Sequence, residues 1–312
     1  MIITKVLPFM KYRKAALALS VALLLLSIVA IAVRGLNFGL DFTGGALIEV
    51  RYQQEANISE IRQILTDADY RDVMVQPFGS VNDVLIRFQA DDNPDIAIEV
   101  LQHLRDAGHN PELMRNEFVG PQVGEELREQ GGLGLLTALL VVMIYIAFRF
   151  QYRFAIGAVA ALAHDIIIIV GFFALFQVEF DLTVLAALLA IIGYSLNDTI
   201  VVSDRIREEF TTSREDDSEK IIDVALSGTL SRTIITSLTT AMVVVALMIF
   251  GGSMIYSFAE ALLIGVIVGT YSSLYVVTNV LLLMKLKRED MMPKELPKED
   301  DFTEELPSWL KD

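Results

Sequence analysis

TIITSLTTAMVVVALMIF, GGSMIYS and FAEALLIGVIVGTYSSLYVVTNVLLLM follow one another over residues 233–284, and Glu260 is the only charge in that whole stretch. A bilayer-crossing helix needs about 18 or more consecutive apolar residues, and a soluble core helix rarely sustains more than about 14. Gly251-Gly252-Ser253 breaks the stretch into two helices joined by a short turn. Working outward, apolar runs of similar length occupy residues 15–33, 131–148, 154–178 and 182–203. Hydrophobic residues make up 54% of the 312-residue chain, and its mean hydropathy is +0.51. Lipid is the solvent these runs require, and the chain reads as a polytopic membrane protein.

Charge and composition narrow the function classes. The net charge is −15, from 25 basic and 40 acidic residues, which disfavours nucleic acid because phosphate binding needs a basic surface. The chain has no cysteine, so disulfide frameworks, thiolate metal sites and cysteine nucleophiles are absent. His103, His109 and His164 are too far apart to form a zinc motif, and no cofactor is expected.

The first run follows Lys5, Lys11, Arg13 and Lys14, and its Ala30-Ile31-Ala32 resembles a signal-peptide cleavage site. Its length exceeds a signal core of about 7–15 residues, so it is read as an uncleaved anchor. Basic residues then set the orientation. Arg149 and Arg153 lie between spans two and three, and Arg205, Arg207, Arg214, Lys220 and Arg232 lie between spans four and five. Lys285, Lys287 and Arg288 follow span six, whereas the opposite connections, residues 179–181 and 251–257, carry no basic residue. Every alternation agrees on both termini being cytoplasmic.

The resulting divisions are a cytoplasmic N-terminus (1–14), span one (15–33), a periplasmic domain (34–130), spans two to four (131–203), a charged and helical cytoplasmic loop (204–232), spans five and six (233–284) and a mostly disordered acidic tail (285–312). Trp309-Leu310 in that tail reads as a fraying terminus. Within 34–130, residues 46–52 alternate like a strand, and Ile58, Ile61, Ile64 and Leu65 recur at helical spacing. Residues 73–77 and 84–89 are strand-like around a turn at 79–83. Ile96, Val100, Leu101 and Leu104 mark a second helix, and residues 112–119 close the set. The order βαββαβ is the split βαβ, ferredoxin-like pattern. Eighteen acidic residues against eight arginines give this domain a charge of −10, read as a solvated surface.

Ionisable groups inside spans are costly and default to functional candidates. Asp165 lies midway along span three beside His164, and Asp198, flanked by Asn197 and Thr199, lies in span four. Arg232 opens span five, with Thr236 and Thr240 following at i+4 and i+8 on the same helix face. Hydroxyls in membrane helices commonly serve as interhelical glue, and Gly265 and Gly269 form a small-xxx-small packing pair. Asp198 is the carboxylate most in need of a partner, and Arg232 is the expected one. Movement of that cation would alter the proton affinity of Asp198, as a proton-driven machine requires. Asp165 is read mainly as support for the bundle.

Phe38-Gly39-Leu40-Asp41-Phe42-Thr43-Gly44-Gly45, Val119-Gly120-Pro121-Gln122-Val123-Gly124, Ala163-His164-Asp165, GYSLNDTIVVSDRIRE over 193–208 and Ser231-Arg232-Thr233 together resemble the SecF side of the bacterial SecD/SecF protein-export family. The resemblance extends from span one to about Arg288. It implies a polytopic α-helical membrane protein of the resistance-nodulation-division type, with six transmembrane helices and one ferredoxin-like α+β periplasmic domain between helices 1 and 2. It further implies a non-enzymatic auxiliary subunit of the Sec translocon in the bacterial inner membrane. The implied partners are SecD, SecYEG, YajC and the translocating preprotein, with export promoted by a proton-motive or sodium-motive force. Asp198 and Arg232 match the family positions implicated in proton conduction. A small-molecule efflux component shares the topology. An intramembrane aspartyl protease would also use two carboxylates, but Asp165 and Asp198 lack that family's Gly-x-Gly-Asp signature. Asp41, Thr43, Gly44 and Gly45 read as a structural hinge or anchor, in which the glycines supply rare backbone conformations and Asp41 and Thr43 bond nearby amides. Gly120 and Pro121 belong to the same structural motif.

Overall fold

The computed structural model describes residues 6–70, 73–88, 93 and 95–291. The acidic tail after residue 291, Trp309-Leu310 included, lies outside the described residues. Among the described residues, six helices are long and apolar enough to cross a membrane. They are α1 (Arg13–Arg34, preceded by a 3-10 turn from Met10), α5 (Pro121–Arg149), α6 (Tyr152–Phe176), α7 (Leu182–Thr212), α8 (Ser218–Phe250) and α9 (Tyr256–Leu283).

Three of these helices, α5, α7 and α8, extend well past the apolar runs, because charged residues that leave lipid remain good helix formers. α5 starts at Pro121, where the missing N–H falls at a position without an intrahelical partner, and the extended Gly120 precedes it. α7 continues through Arg205 and Glu209, and Asp217 caps α8 by accepting the Glu219 N–H at 3.0 Å. The stretch 204–231 therefore contains only a short connection at 213–217, and Arg232 sits inside α8 rather than at its start.

α9 packs against α6, α7 and α8, while α1 leans on α6. Small residues set the closest approaches: a Cβ on Gly265 would overlap Ile191, and one on Gly171 would overlap Ser27. α5 and α8 stand at the periphery, with Leu136, Leu140 and Ile144 of α5 and Ile235, Leu238 and Met242 of α8 exposed.

Between α1 and α5 the chain forms β1 (Asn37–Phe38), α2 (Leu40–Thr43), β2 (Gly45–Arg51), α3 (Ile58–Asp67), β3 (Met74–Phe78), β4 (Ser80–Phe88), α4 (Ile96–Asp106) and β5 (Glu112–Val119). Strands β2 to β5 make an antiparallel sheet in the order β3-β4-β2-β5. Residues alternate along β2 and β4, and Ala46, Ile48, Val50, Val84, Ile86 and Phe88 form a core with Ile61 and Leu65 of α3 and Val100 and Leu104 of α4. The turn expected over 79–83 shrinks to Gly79, at φ +75°, because Phe78 already pairs with Ser80 and β4 begins there. Asp83 is in β4, held by a salt bridge to Arg51 at 2.6 Å that keeps its carboxyl below the ordinary carboxylate range.

The other face of the sheet rests on the end of the bundle. Leu47 and Leu85 pack on Leu40 of α2, and β1 pairs in parallel with β6 (Glu179–Phe180) in the connection between α6 and α7. Phe38, Phe42, Phe173 and Phe180 stack edge to face beneath this contact.

At the opposite end, Asp223 of α8 accepts the Met10 N–H at 2.8 Å and Ser227 Oγ accepts the Leu7 N–H at 2.9 Å. Arg13 forms a 2.7 Å salt bridge with Glu219. The segment leading into α1 is thereby fastened to α8.

Candidate functional site

Two clusters collect the polar residues singled out above. The first lies inside the bundle, where α6, α7, α8 and α9 meet. Asp198 is buried, and its Oδ1 accepts a hydrogen bond from Thr233 Oγ1 at 3.3 Å while Oδ2 has no hydrogen-bond partner. Thr233 is fully buried on α8 and aimed at α7. The adjacent Arg232 is turned outward and exposed, and it forms no ion pair with Asp198. The helical rotation of about 100° per residue explains this split. With Thr233 directed into the bundle, Arg232 must face away.

Thr236 and Thr240 follow Arg232, and their hydroxyls donate back to the carbonyls of Arg232 and Thr236 at 3.0 and 2.9 Å. They do not reach Asp198. Asn197 is exposed, whereas Thr199 is buried and its hydroxyl pairs with Ser273 of α9 at 3.0 Å.

Asp165 is fully buried on α6 and has a different set of partners. Its Oδ2 accepts from Ser195 Oγ at 2.6 Å and from Ser272 Oγ at 2.8 Å, and its Oδ1 lies 3.0 Å from His164 Nδ1. The His164 ring stacks on Tyr271, whose hydroxyl donates to the Ala16 carbonyl of α1 at 2.6 Å. No hydrogen bond joins the carboxylates of Asp165 and Asp198, so they do not share a proton as an aspartyl protease pair does.

The second cluster is the junction between sheet and bundle. Asp41 does not bond the nearby amides expected from its loop; its Oδ2 accepts the Leu182 N–H at 3.0 Å, 141 residues away. With Asp181, which accepts from Val184 N–H at 2.9 Å, it satisfies the free amides at the start of α7. The Thr43 hydroxyl accepts from the Arg87 guanidinium at 2.9 Å. Arg87 also donates to the Phe38 carbonyl at 2.8 Å and to Glu179 Oε1 at 3.0 Å. Burial pushes the Glu179 carboxyl above its ordinary range, and Arg87 counteracts part of that rise. Gly44 has φ +68°, and a Cβ there would stand 2.8 Å from the Pro121 Cα; Gly45 has φ +123° against the Phe88 carbonyl.

Apart from Arg87, the ionisable residues of both clusters fall inside the regions that match known families. The model described as the SecD/SecF GG motif matches residues 29–56, which contain Asp41, Thr43, Gly44 and Gly45. The model described as protein export membrane protein SecD/SecF, C-terminal, matches residues 99–287. The protein translocase subunit SecF of Pseudomonas aeruginosa is 47% identical over 301 residues, covering 96% of this chain and 97% of that protein. Its counterpart from Vibrio alginolyticus is 46% identical and covers 97% and 98% respectively. The chain belongs to the SecF family.

SecF membership agrees with a solved relative. The crystal structure of SecDF, a translocon-associated membrane protein from Thermus thermophilus, superposes with a TM-score of 0.82 at 33% identity over 91% of this chain. This SecF chain spans 39% of the length of that SecDF chain. The relatives are named translocase subunits, and the chain is a multi-pass membrane protein of that kind. Sequence reasoning singled out Asp198, Asp165 and His164 in this SecF but missed Arg87, Glu179, Ser195 and Ser272. Their partners are 30 to 107 residues away in sequence, and no local pattern announces them.

Proposed function

We propose that this SecF chain pairs with SecD in the bacterial inner membrane and promotes late stages of protein export through SecYEG, using the proton-motive force, with YajC and the translocating preprotein as further partners. Residues 34–130 form the ferredoxin-like periplasmic domain and both termini are cytoplasmic in this reading. The basic residues of the short connections support that orientation. Asp198 is the ion-coupling group, assisted by Thr199 within the bundle and by Asn197 and Arg232 from exposed faces of α7 and α8.

The observation that carries the reading is the Asp198 carboxylate, buried within a span with one oxygen lacking a hydrogen-bond partner. An ionised group in that setting is costly, so its proton is readily exchanged when the surroundings become wet or a cation approaches. Arg232, Thr236 and Thr240 lie on an α8 face that is largely open, which suits a surface completed by a partner's helices. A rotation of α8 by one residue step, about 100°, would exchange Thr233 for Arg232 beside Asp198 and change its charge preference.

The test is export of a pulse-labelled preprotein in cells whose own copy is depleted, with and without a membrane gradient, at matched protein levels. Asp198→Asn should abolish the gradient-dependent increment and leave SecD association intact. A full increment in that variant would overturn the assignment. Separate proton and sodium ionophores identify the driving ion.

A further inference from the structure

Asp165 and His164 fill no role in the coupling reading, although they form the most completely enclosed ionisable pair in the spans: 0% and 3% of their side-chain surface is exposed. A carboxylate and an imidazole in that setting have few allowed charge states. With one proton between them, the pair is neutral overall, whether as carboxylic acid beside imidazole or carboxylate beside imidazolium. With no proton it carries a buried negative charge, and with two a buried positive charge. Both are penalised far from water.

The groups facing the pair supply no other charge. α6 packs against α1, α5, α7 and α9. α1 presents Ser20, which pairs with Tyr271; α7 presents Ser195; α9 presents Ser272 and Tyr271. α5 makes no hydrogen bond to the pair. Asp198, nearest along α7, is engaged by Thr233 of α8, and Glu260 lies in the first turns of α9. Among the described residues, the one titratable side chain against the pair is the neutral phenol Tyr271.

The surrounding hydroxyls accept either state of the carboxyl. Ser272 Oγ lies 2.8 Å from Asp165 Oδ2 and 3.1 Å from the Gly269 carbonyl. Its single proton serves one of them at a time. When Asp165 is ionised, Ser272 donates to Oδ2. When Oδ2 carries a proton, Ser272 accepts it and turns its own hydrogen to Gly269. No heavy atom needs to move. His164 Nε2 is buried without a partner, so the ring's one hydrogen bond is that between Nδ1 and Asp165 Oδ1, and its protonation is tied to that of the carboxyl. A carboxylate serving only as helix glue needs donors; it does not need a donor with a second acceptor in reach.

We propose that Asp165 and His164, with Ser195 and Ser272, form a second proton-binding site of the bundle, separate from Asp198. At rest the pair holds one H⁺ and is neutral; each event releases that H⁺ to a short-lived anionic state and the return rebinds it, so the charge of the site changes by one. The inference deepens the ion-coupling reading, but its readout is proton binding rather than export, so either can fail without the other.

The test uses the full chain in its membrane complex, reconstituted in lipid, and follows the infrared carbonyl band of buried carboxylic acids during a pH titration in light and heavy water. A band lost in Asp165→Asn, retained in Asp198→Asn and displaced in Ser272→Ala is the expected result, together with one fewer proton bound per chain in Asp165→Asn. Should Asp165→Asn fail to accumulate, His164→Gln answers instead: the midpoint of the same band must move. An Asp165→Asn spectrum and proton count equal to the parent's, or an unmoved midpoint in His164→Gln, would overturn the site.

Discussion

Arg87 of β4 and Glu179 of β6 form a 3.0 Å salt bridge across 92 residues of sequence, joining the four-stranded sheet to the end of the membrane bundle. The same guanidinium holds the Phe38 carbonyl and the Thr43 hydroxyl, so one side chain ties three segments together. Cavities of about 140 and 360 Å³ adjoin Arg87 in this junction, lined in part by Asn37, Met74 and Gln177. The contact is thinly packed apart from Arg87 and the phenylalanines beneath it. Arg87→Ala should therefore loosen the sheet from the bundle while leaving each intact. Hydrogen exchange should rise at β1 and β6 with little change in β2 or α9. Unchanged protection at β1 would show that the guanidinium is dispensable.

Glu179 gives the junction a pH dependence of definite sign. Burial is the largest influence on its carboxyl and raises it, and nearby Asp181 and Asp41 act in the same direction while Arg87 opposes them. A carboxyl raised in the closed state binds a proton more tightly there than in the open one. Closure is thus increasingly favoured as pH falls from the raised value to the ordinary glutamate range of about 4.3, and the dependence flattens on either side of that window. Glu179→Gln should abolish this dependence. Exchange at β1 measured against pH in both proteins checks it, and parallel profiles would count against the assignment.

Much of this architecture was legible in the sequence, for a physical reason. Lipid demands long uncharged runs, so all six helices were visible in composition alone. Their ends were not, because Glu125, Arg205 and Lys220 favour helix as well as water, and α5, α7 and α8 run on past the apolar residues. Alternation exposed β2 and β4. The two-residue strands β1 and β6 are too short to show any period. In the site, Asp198 and Asp165 stood out as charges in apolar runs. Their partners depend on helix rotation, which is why Thr233 rather than Arg232 meets Asp198.

Asp41 contributes to stability at a distance. It and Asp181 satisfy the Leu182 and Val184 amides at the start of α7, the helix that carries Ser195 and Asp198. Loss of a side-chain cap costs about 1 kcal/mol. Asp41→Ala should lower thermal stability by roughly that amount, and Asp41→Asn, which keeps an acceptor oxygen, by less. Melting of the purified protein in lipid is the measurement, and equal losses in both variants would contradict a capping role.

Gly44 admits no side chain. Its φ of +68° disfavours any residue with a Cβ, and the Pro121 Cα would stand 2.8 Å from that atom. The three nearest atoms, Pro121 Cα, Pro121 N and the Val119 carbonyl oxygen, are all backbone, so no rotamer change relieves the overlap. Gly44→Ala should already reduce accumulation of folded protein, and Gly44→Val should do so severely. Gly79→Ala, at a positive φ with open space around it, provides the control and should be milder. Steady-state levels in the membrane fraction compare the three, and comparable levels for Gly44→Val and Gly79→Ala would remove the steric argument.

The segment entering α1 depends on α8 for its position. Asp223 accepts the Met10 N–H, Ser227 accepts that of Leu7, and Arg13 pairs with Glu219. A carboxylate at free amides ahead of a helix also favours that helix's dipole. Asp223→Ala removes the only side-chain acceptor for the Met10 amide, so residues 6–12 should detach while α1 stays in the bundle through its contacts with α6 and α9. Ser227→Ala should have a smaller effect, since the hydrogen bond it loses is to a neutral hydroxyl rather than to a carboxylate. Trypsin added to the purified protein in detergent should then cleave at Lys11 or Arg13 several times faster in Asp223→Ala than in the parent. Asp223→Asn retains an acceptor oxygen and should fall between the two. Equal cleavage rates in all of these proteins would mean that α1 is positioned by its apolar contacts alone.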